Sequence, residues 1–258
     1  MTLRIMAERD LTYFISDLHL GAGYIADKRA HELKIVDWLR SIEPRCSRLY
    51  LLGDVIDYWY EYRYVVPRGF VRFFGQLASM ADKGIEITWL TGNHDIWIFD
   101  YIPKELGVKV IDGVMVTEID GTCFYLAHGD AVGSLKPGFK FMRKLFRNRF
   151  AQRIFGAVHP GLTIPFAHRW SSSSRKGATG KYDKYLGDDK EPMVPWARDY
   201  AKAHPEVDYI LLGHRHIMLE REVGEHCRLM VIGDWIRHFS YAVWDGKELK
   251  LKDLNLVV

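Results

Sequence analysis

Five short apolar runs along the chain each end at a cluster of Gly, Asp, Asn or His. Leu11-Thr-Tyr-Phe-Ile15 leads into Ser16-Asp17-Leu18-His19, and Leu49–Leu52 leads into Gly53-Asp54, with Asp57 three residues on. Ile85–Leu90 leads to Gly92-Asn93-His94-Asp95, Cys123–Ala127 to His128-Gly129-Asp130, and Tyr209–Leu212 to Gly213-His214-Arg215-His216. Runs of this length, rich in β-branched, aromatic and aliphatic residues and closed by turn formers, predict buried strands.

Between them the period changes. Phe70, Phe73, Phe74, Leu77, Ala78 and Ala81 follow i, i+3, i+4, i+7, i+8, i+11 spacing, which predicts a helix with one apolar face. Strands alternating with helices predict a layered α/β fold with polar loops gathered at strand ends. Tyr241–Trp244 and Leu249–Leu251 flank Asp245-Gly246, a hairpin signal. No repeat of fixed period is present. At 258 residues the expectation is a single domain over 1–258.

One region breaks the rhythm. Ser134 to Tyr182 holds Lys136, Lys140, Arg143, Lys144, Arg147, Arg149, Arg153, Arg169, Arg175, Lys176 and Lys181 but no Asp or Glu. Phe139, Met142, Phe146 and Phe150 recur at helical spacing among those cations. The pattern predicts a helical cap, at about 134–200, inserted between two core strands. Such a basic, aromatic-rich insert suits an anionic lipid surface or a phosphorylated amphiphile; a solvated cap packed on the core fits the same spacing.

Composition narrows the field modestly. Hydrophobic residues make up 48% of the chain, which excludes disorder. The net charge of +3 matters only through its concentration in the insert. No long apolar stretch predicts a spanning helix or a signal peptide. Cys46, Cys123 and Cys227 are scattered without a pair motif, as expected of reduced thiols in a cytoplasm.

The residues closing the strands point to metal chemistry. A phosphoester resists hydrolysis because its anionic oxygens repel hydroxide, and two divalent ions roughly 3.5–4 Å apart remove that obstacle. Such a centre needs a carboxylate able to bridge, with imidazoles and amide or carboxylate oxygens in the other positions. Asp17 and His19, two apart on extended chain, can reach one site; Asp54 is the natural bridge; Asn93 offers an amide oxygen; His128, His214 and His216 offer imidazoles. Each motif alone is weak, and a lone strand-end histidine is more often structural. The five together, in order, are not a chance pattern.

Asp-x-His, Gly-Asp-x-x-Asp, Gly-Asn-His-Asp, His and Gly-His-x-His, running from Asp17 to His216, resemble the signature of the calcineurin-like metallophosphoesterases. The fold this implies is a layered αββα sandwich, here with the basic helical cap inserted. Ile15-Ser-Asp-Leu-His-Leu-Gly21, Gly53-Asp-Val-Ile-Asp-Tyr-Trp59, the insert after His128-Gly-Asp130, and Gly233-Asp-Trp235 are similar to the branch that hydrolyses UDP-2,3-diacylglucosamine in lipid A synthesis. The resemblance implies one ion on Asp17, His19, Asp54 and His216, and a second on Asp54, Asn93, His128 and His214. It implies His94 beside the phosphate, with Asp57 orienting it, and Mn²⁺ as the usual metal, Fe and Zn being alternatives. Asn93, His94, Ser174, Arg175 and Lys176 would bind substrate, an amphiphilic nucleotide-sugar lipid. The enzyme would sit peripherally on the cytoplasmic face of the inner membrane. Two departures stand out: His94 replaces an Arg of well-known members, and Lys136 falls near the place of an acidic residue. Rival readings keep the centre and change the substrate, to a soluble nucleotide or phosphoprotein, or to nucleic acid on the basic insert. The alternation of cations with large apolar residues favours the lipid.

Overall fold

The computed structural model describes residues 9–133, 137–176 and 184–254, with the side chains at 168 and 170–176 outside that description. In chain order the strands are β1 (Leu11–Ile15), β2 (Cys46–Leu52), β3 (Glu86–Leu90), β4 (Lys109–Ile111), β5 (Met115–Ile119), β6 (Thr122–Ala127), β7 (Tyr209–Leu212), β8 (Met218–Glu222), β9 (Arg228–Ile232), β10 (Ser240–Trp244) and β11 (Leu249–Asp253). The helices are α1 (Lys28–Ile42), α2 (Val71–Asp82), α3 (Tyr101–Leu106), α4 (Pro137–Phe146), α5 (Arg149–Ala157), α6 (Pro160–Lys176) and α7 (Met193–Ala203).

Two sheets stack face to face. One has the order β11-β10-β1-β2-β3-β4, the other β5-β6-β7-β9-β8. Side chains of successive strand residues point to opposite faces, so each central strand feeds two layers. Tyr13 and Ile15 pack outward with α1, α2 and α3, while Phe14 between them faces the other sheet. On that second sheet Phe124 and Leu126 face inward, and Tyr125 and Ala127 pack outward with α7. Phe14 joins the two layers, stacked on Tyr50 at 5.2 Å and on Phe124 at 5.7 Å. The architecture is therefore αββα.

The topology brings the polar clusters together. β1, β2, β3 and β4 run parallel, and so do β6, β7 and β9. Their registers keep the ends level: Ile15 pairs with Leu51, Leu52 with Leu90, and Ala127 with Leu212. Carboxyl ends of parallel strands are where open α/β sheets bind ligands. The expected helix at 70–81 is α2, burying Phe73, Phe74, Leu77 and Met80; Phe70 is its left-handed cap residue. The hairpin is β10–β11, with Trp244 opposite Leu249 and the loop spanning 245–248.

The insert is narrower than expected. α4, α5 and α6 form the cap, whereas α7 belongs to the core, burying Met193, Val194, Ala197 and Ala201 on the second sheet. Nor is the run Phe139–Phe150 one helix. Asn148 caps a new helix by accepting from the N–H groups of Phe150 and Ala151, so Phe150 lies on α5. Phe150 and Phe166 are exposed, at 72% and 59%, and do not line a closed cleft. Met142 is half-buried, and so is Phe146, which packs on Trp97. The side chain of Trp170 lies outside the described residues.

Cap and core are fastened at named points. Arg143 Nε meets Asp130 Oδ2 at 3.0 Å, and Arg147 Nε meets Asp112 Oδ1 at 3.1 Å. Trp97 Nε1 donates to the Phe146 carbonyl at 2.8 Å, and the Tyr60 hydroxyl to that of Gln152 at 2.6 Å. Beyond the cap, Glu191 grips Arg215 through a buried fork, Nε to Oε1 at 2.5 Å and Nη2 to Oε2 at 2.9 Å. Arg215 sits between His214 and His216, so the fork fixes that loop. Glu191→Ala strips a bidentate carboxylate from a buried guanidinium and is expected to lower stability by about 3–5 kcal/mol. Urea unfolding measures it, and a loss below about 1 kcal/mol would show that the fork does not hold the loop.

Candidate metal centre

The strand ends deliver their side chains through strained backbone. Asp17, His19, Asp54, His214 and His216 all have φ between +44° and +67°. Asp, Asn and His tolerate this left-handed region better than most residues, yet each such position costs on the order of 1 kcal/mol. The turns also come unusually close together. A Cβ on Gly213 would lie 1.9 Å from Ser16 Oγ, and one on Gly92 would lie 2.2 Å from Asp54 Oδ1. Only glycine permits that approach.

Asp17, His19, Asp54 and His128 are almost wholly buried. Asp17 Oδ2 accepts from Ser16 Oγ at 2.7 Å and the His214 N–H at 2.8 Å. Asp17 Oδ1 has no hydrogen-bond partner although buried, and faces His216 Nε2 at 3.2 Å and His19 Nε2 at 3.6 Å. Asp54 Oδ1 accepts from the His94 N–H at 2.9 Å, leaving Oδ2 3.3 Å from His128 Nε2, 3.7 Å from His19 Nε2 and 3.9 Å from His94 Nε2. His128 Nε2 also lies 3.3 Å from Asn93 Oδ1 and 3.2 Å from His214 Nδ1. Donor atoms thus converge as Asp17–His19–His216, His19–Asp54–His94 and Asp54–His128–His214, with Asp54 in two of the three groups.

The electrostatics suit a divalent cation. Burial alone would raise the Asp17 carboxyl, but the neighbouring His216 and His19 hold it well below the usual range. Asp54 is likewise held down, against burial, by His128 and His94. Burial opposes charge on His128 too, yet Asp54 pushes it up to about 10. His214 goes the other way, lowered to about 4 by burial and by the charge on His128. A proton on His128 therefore occupies space that a metal ion would fill. An orphaned carboxylate oxygen and a purely nitrogen and oxygen donor set suit divalent ions and exclude a thiolate-type centre.

The structure changes one pairing. Asp57 was expected to orient His94, but its carboxylate is nearer His19, with Nδ1 donating to Oδ1 at 3.2 Å. His94 Nδ1 instead donates to the Asp57 backbone carbonyl at 2.8 Å, the carboxylate standing 3.7 Å away. Ser174, Arg175 and Lys176 fall at the end of α6, and their side chains lie outside the described residues. Two carboxylates had no assigned role. Asp95, fully buried, ties the third loop down by accepting from the N–H groups of Gly92 and Val55 and from Trp89 Nε1. Burial, with Asp54 beside it, pushes its carboxyl up to about 6. Asp234 follows β9 and reaches His216 Nδ1 at 3.1 Å. Asp234 carried a signal like that of the ligands, an Asp just past the buried run Leu229–Ile232, whereas Asp95 was visible only as the last member of the Gly92-Asn93-His94-Asp95 cluster.

The calcineurin-like phosphoesterase pattern matches residues 11–218. The chain belongs to that family. It is a metal-dependent hydrolase, and the family's chemistry rests on divalent ions. A UDP-2,3-diacylglucosamine hydrolase from Porphyromonas gingivalis is 40% identical over 96% of this chain and 98% of that protein. A protein of the same name from Haemophilus influenzae is 22% identical, over 89% of this chain and 92% of its own. Among solved structures, Yfce, a phosphoesterase from E. coli, compares with a TM-score of 0.48 and 15% identity, covering 95% of this chain and 93% of that one.

A metal ion held by His128 would expel its proton. Burial works against charge on His128, but Asp54 beside it pushes the imidazole up to about 10, so metal affinity is expected to fall as pH drops below that value, by up to about tenfold per pH unit. Calorimetry at pH 7 in buffers of different ionisation enthalpy is expected to show release of about one proton per chain. Heats that do not depend on the buffer would show that His128 is already neutral.

Proposed function

We propose that this chain hydrolyses the pyrophosphate of UDP-2,3-diacylglucosamine. Water adds to one phosphorus, the bridging P–O bond breaks, and UMP and 2,3-diacylglucosamine 1-phosphate leave. The observation that carries the reading is a basic, apolar cap fastened to the rim of a hydrolytic centre. Arg143 of the cap pairs with Asp130, two residues from His128. Beside it, Phe141, Phe150, Leu162 and Phe166 are exposed among Lys140, Lys144, Arg149, Arg153 and Arg169. Large apolar side chains in water, interleaved with cations, suit acyl chains and anionic head groups. The name carried by the Porphyromonas gingivalis relative supports the same substrate.

Asp17, His19, Asp54 and His216 would hold one ion, and Asp54, Asn93, His128 and His214 the other; we take both as Mn²⁺. When bound, two such ions acidify water and neutralise phosphate oxygens. The chain's own residues do the positioning. Asp54 presents Oδ2 to both sides of the centre, while the His94 N–H fixes its other oxygen. With Nδ1 committed to the Asp57 carbonyl, His94 offers Nε2 to the substrate, to stabilise charge on a phosphate oxygen or protonate the leaving group. Asn93 and His94, with Ser174, Arg175 and Lys176 from the end of α6, would grip the phosphates. The cap would rest on the cytoplasmic face of the inner membrane. No described helix is long and apolar enough to cross it.

The deciding assay follows UMP release from UDP-2,3-diacylglucosamine with Mn²⁺, beside a generic phosphodiester and a single-stranded oligonucleotide. The lipid nucleotide is expected to turn over far faster, and Asp54→Ala to abolish it. Preference for either of the other substrates would overturn the lipid reading while leaving the hydrolytic centre in place. A second variant isolates His94. His94→Ala is expected to lower kcat by about 10²–10³-fold while equilibrium dialysis shows Mn²⁺ binding nearly unchanged. Loss of metal instead would make His94 a ligand.

A further inference from the structure

Asp234 stands at the end of β9, 2% exposed, with a side chain that has no freedom left. Its Oδ1 accepts three backbone N–H groups, from Ile236 at 2.9 Å, Arg237 at 2.7 Å and His238 at 3.2 Å. That locks Oδ2 in place, 3.1 Å from His216 Nδ1 and 3.6 Å from His238 Nδ1. A carboxylate can only accept here, so the His216 proton sits on Nδ1. The Nε2 lone pair then faces the Asp17 Oδ1 side of the centre, 3.2 Å away. The same turn is tied to Asp17 itself, because the Trp235 N–H donates to the Asp17 carbonyl at 3.1 Å.

The two sides of the centre are supported differently. His19 has a carboxylate behind it, Asp57 at 3.2 Å, and His216 has Asp234. His128 has a neutral group, its Nδ1 donating to the Leu52 carbonyl at 2.9 Å. His214 turns Nδ1 inward, toward His128 Nε2. A carboxylate behind an imidazole fixes its tautomer and raises its basicity more than a carbonyl does.

We infer that Asp234 is the positioning residue of His216, and that with Asp57 behind His19 it makes the Asp17–His19–His216 position the tighter of the two metal positions. The inference rests on the metal assignment proposed above. Asp234 touches neither substrate nor ion; it acts through His216.

The test is Mn²⁺ binding to the chelator-stripped full chain, with free Mn²⁺ read by its paramagnetic resonance. Wild type is expected to show a tight and a weaker class. Asp234→Asn keeps an oxygen for the three backbone donors but turns an NH₂ toward His216, so the tight class is expected to weaken by roughly 10–100-fold with the weaker class unmoved. His216→Ala is the reference. If wild type binds no Mn²⁺, or His216→Ala binds like wild type, the metal assignment itself fails. If His216→Ala loses the tight class while Asp234→Asn matches wild type, only the role of Asp234 fails. A readout on wild type alone covers misfolding of the variant. In the Zn²⁺-loaded protein His216 Nδ1–H is expected as a protected, downfield proton resonance, and its absence would overturn the inference.

Discussion

Buried carboxylates need positive charge, and this molecule buries Asp17, Asp54, Asp57, Asp95, Asp130 and Asp234 along one edge of two sheets. The rest of the centre follows from that constraint. Backbone N–H groups neutralise part of the burden, as at Asp95 and Asp234, which accept from two and three of them. Arg143 serves Asp130, and imidazoles serve the others. What is left over is concentrated at Asp17 and Asp54, where no Lys or Arg lies within ion-pairing distance among the described residues. A protonated His128 is the counter-charge available without metal, and divalent ions replace it with more charge in less space.

That arrangement is expensive, and the expense fixes the backbone. Five left-handed residues at the strand ends together cost several kcal/mol, and the chain tolerates them only because the sheets beneath are rigid. Rigidity comes from packing between the layers, where Phe14, Tyr50 and Phe124 stack directly under the loops that carry Asp17, Asp54 and His128. The left-handed turns also explain why glycines fill Gly92 and Gly213. Loops that reverse this sharply meet backbone to side chain, and any Cβ would occupy the carboxylate's place.

The ligand candidates were legible in the sequence because polar residues immediately after a buried strand are costly without a use, and five such endings came in order. Pairings across the centre were not legible. Asp57 is equally placed in sequence to serve His19 or His94, and only the fold brings its carboxylate to one and its carbonyl to the other. Gly233-Asp-Trp235 entered only as part of the family resemblance, and Asp234 went without a role because β9, which aims it, was not anticipated as a sixth strand feeding the same edge. The cap misled for a different reason. Phe139, Met142, Phe146 and Phe150 stay in phase across Asn148, so periodicity alone reports one helix where the capping side chain has started another. α7 fell inside the expected cap bounds of about 134–200, while its burial against the second sheet depends on Met193, Val194 and Ala197, which composition does not distinguish.

Core and cap divide the work according to their stability. The centre rests on interlocked sheets and the buried Arg215–Glu191 fork, so its donor atoms move little. Among the described residues the cap is held by two ion pairs, one with a half-exposed Asp112, by a few hydrogen bonds, and by the aromatic contacts of Trp97 and Tyr60 with Phe146 and Phe155. Elements with exposed hydrogen bonds and little buried apolar area open at low free energy. Phe141 and Phe150 gain nothing from the core, so their burial is available to a ligand. An enzyme acting on a two-chain amphiphile needs that combination: a fixed centre for phosphorus chemistry and an adaptable apolar wall whose closure draws its driving force from the substrate.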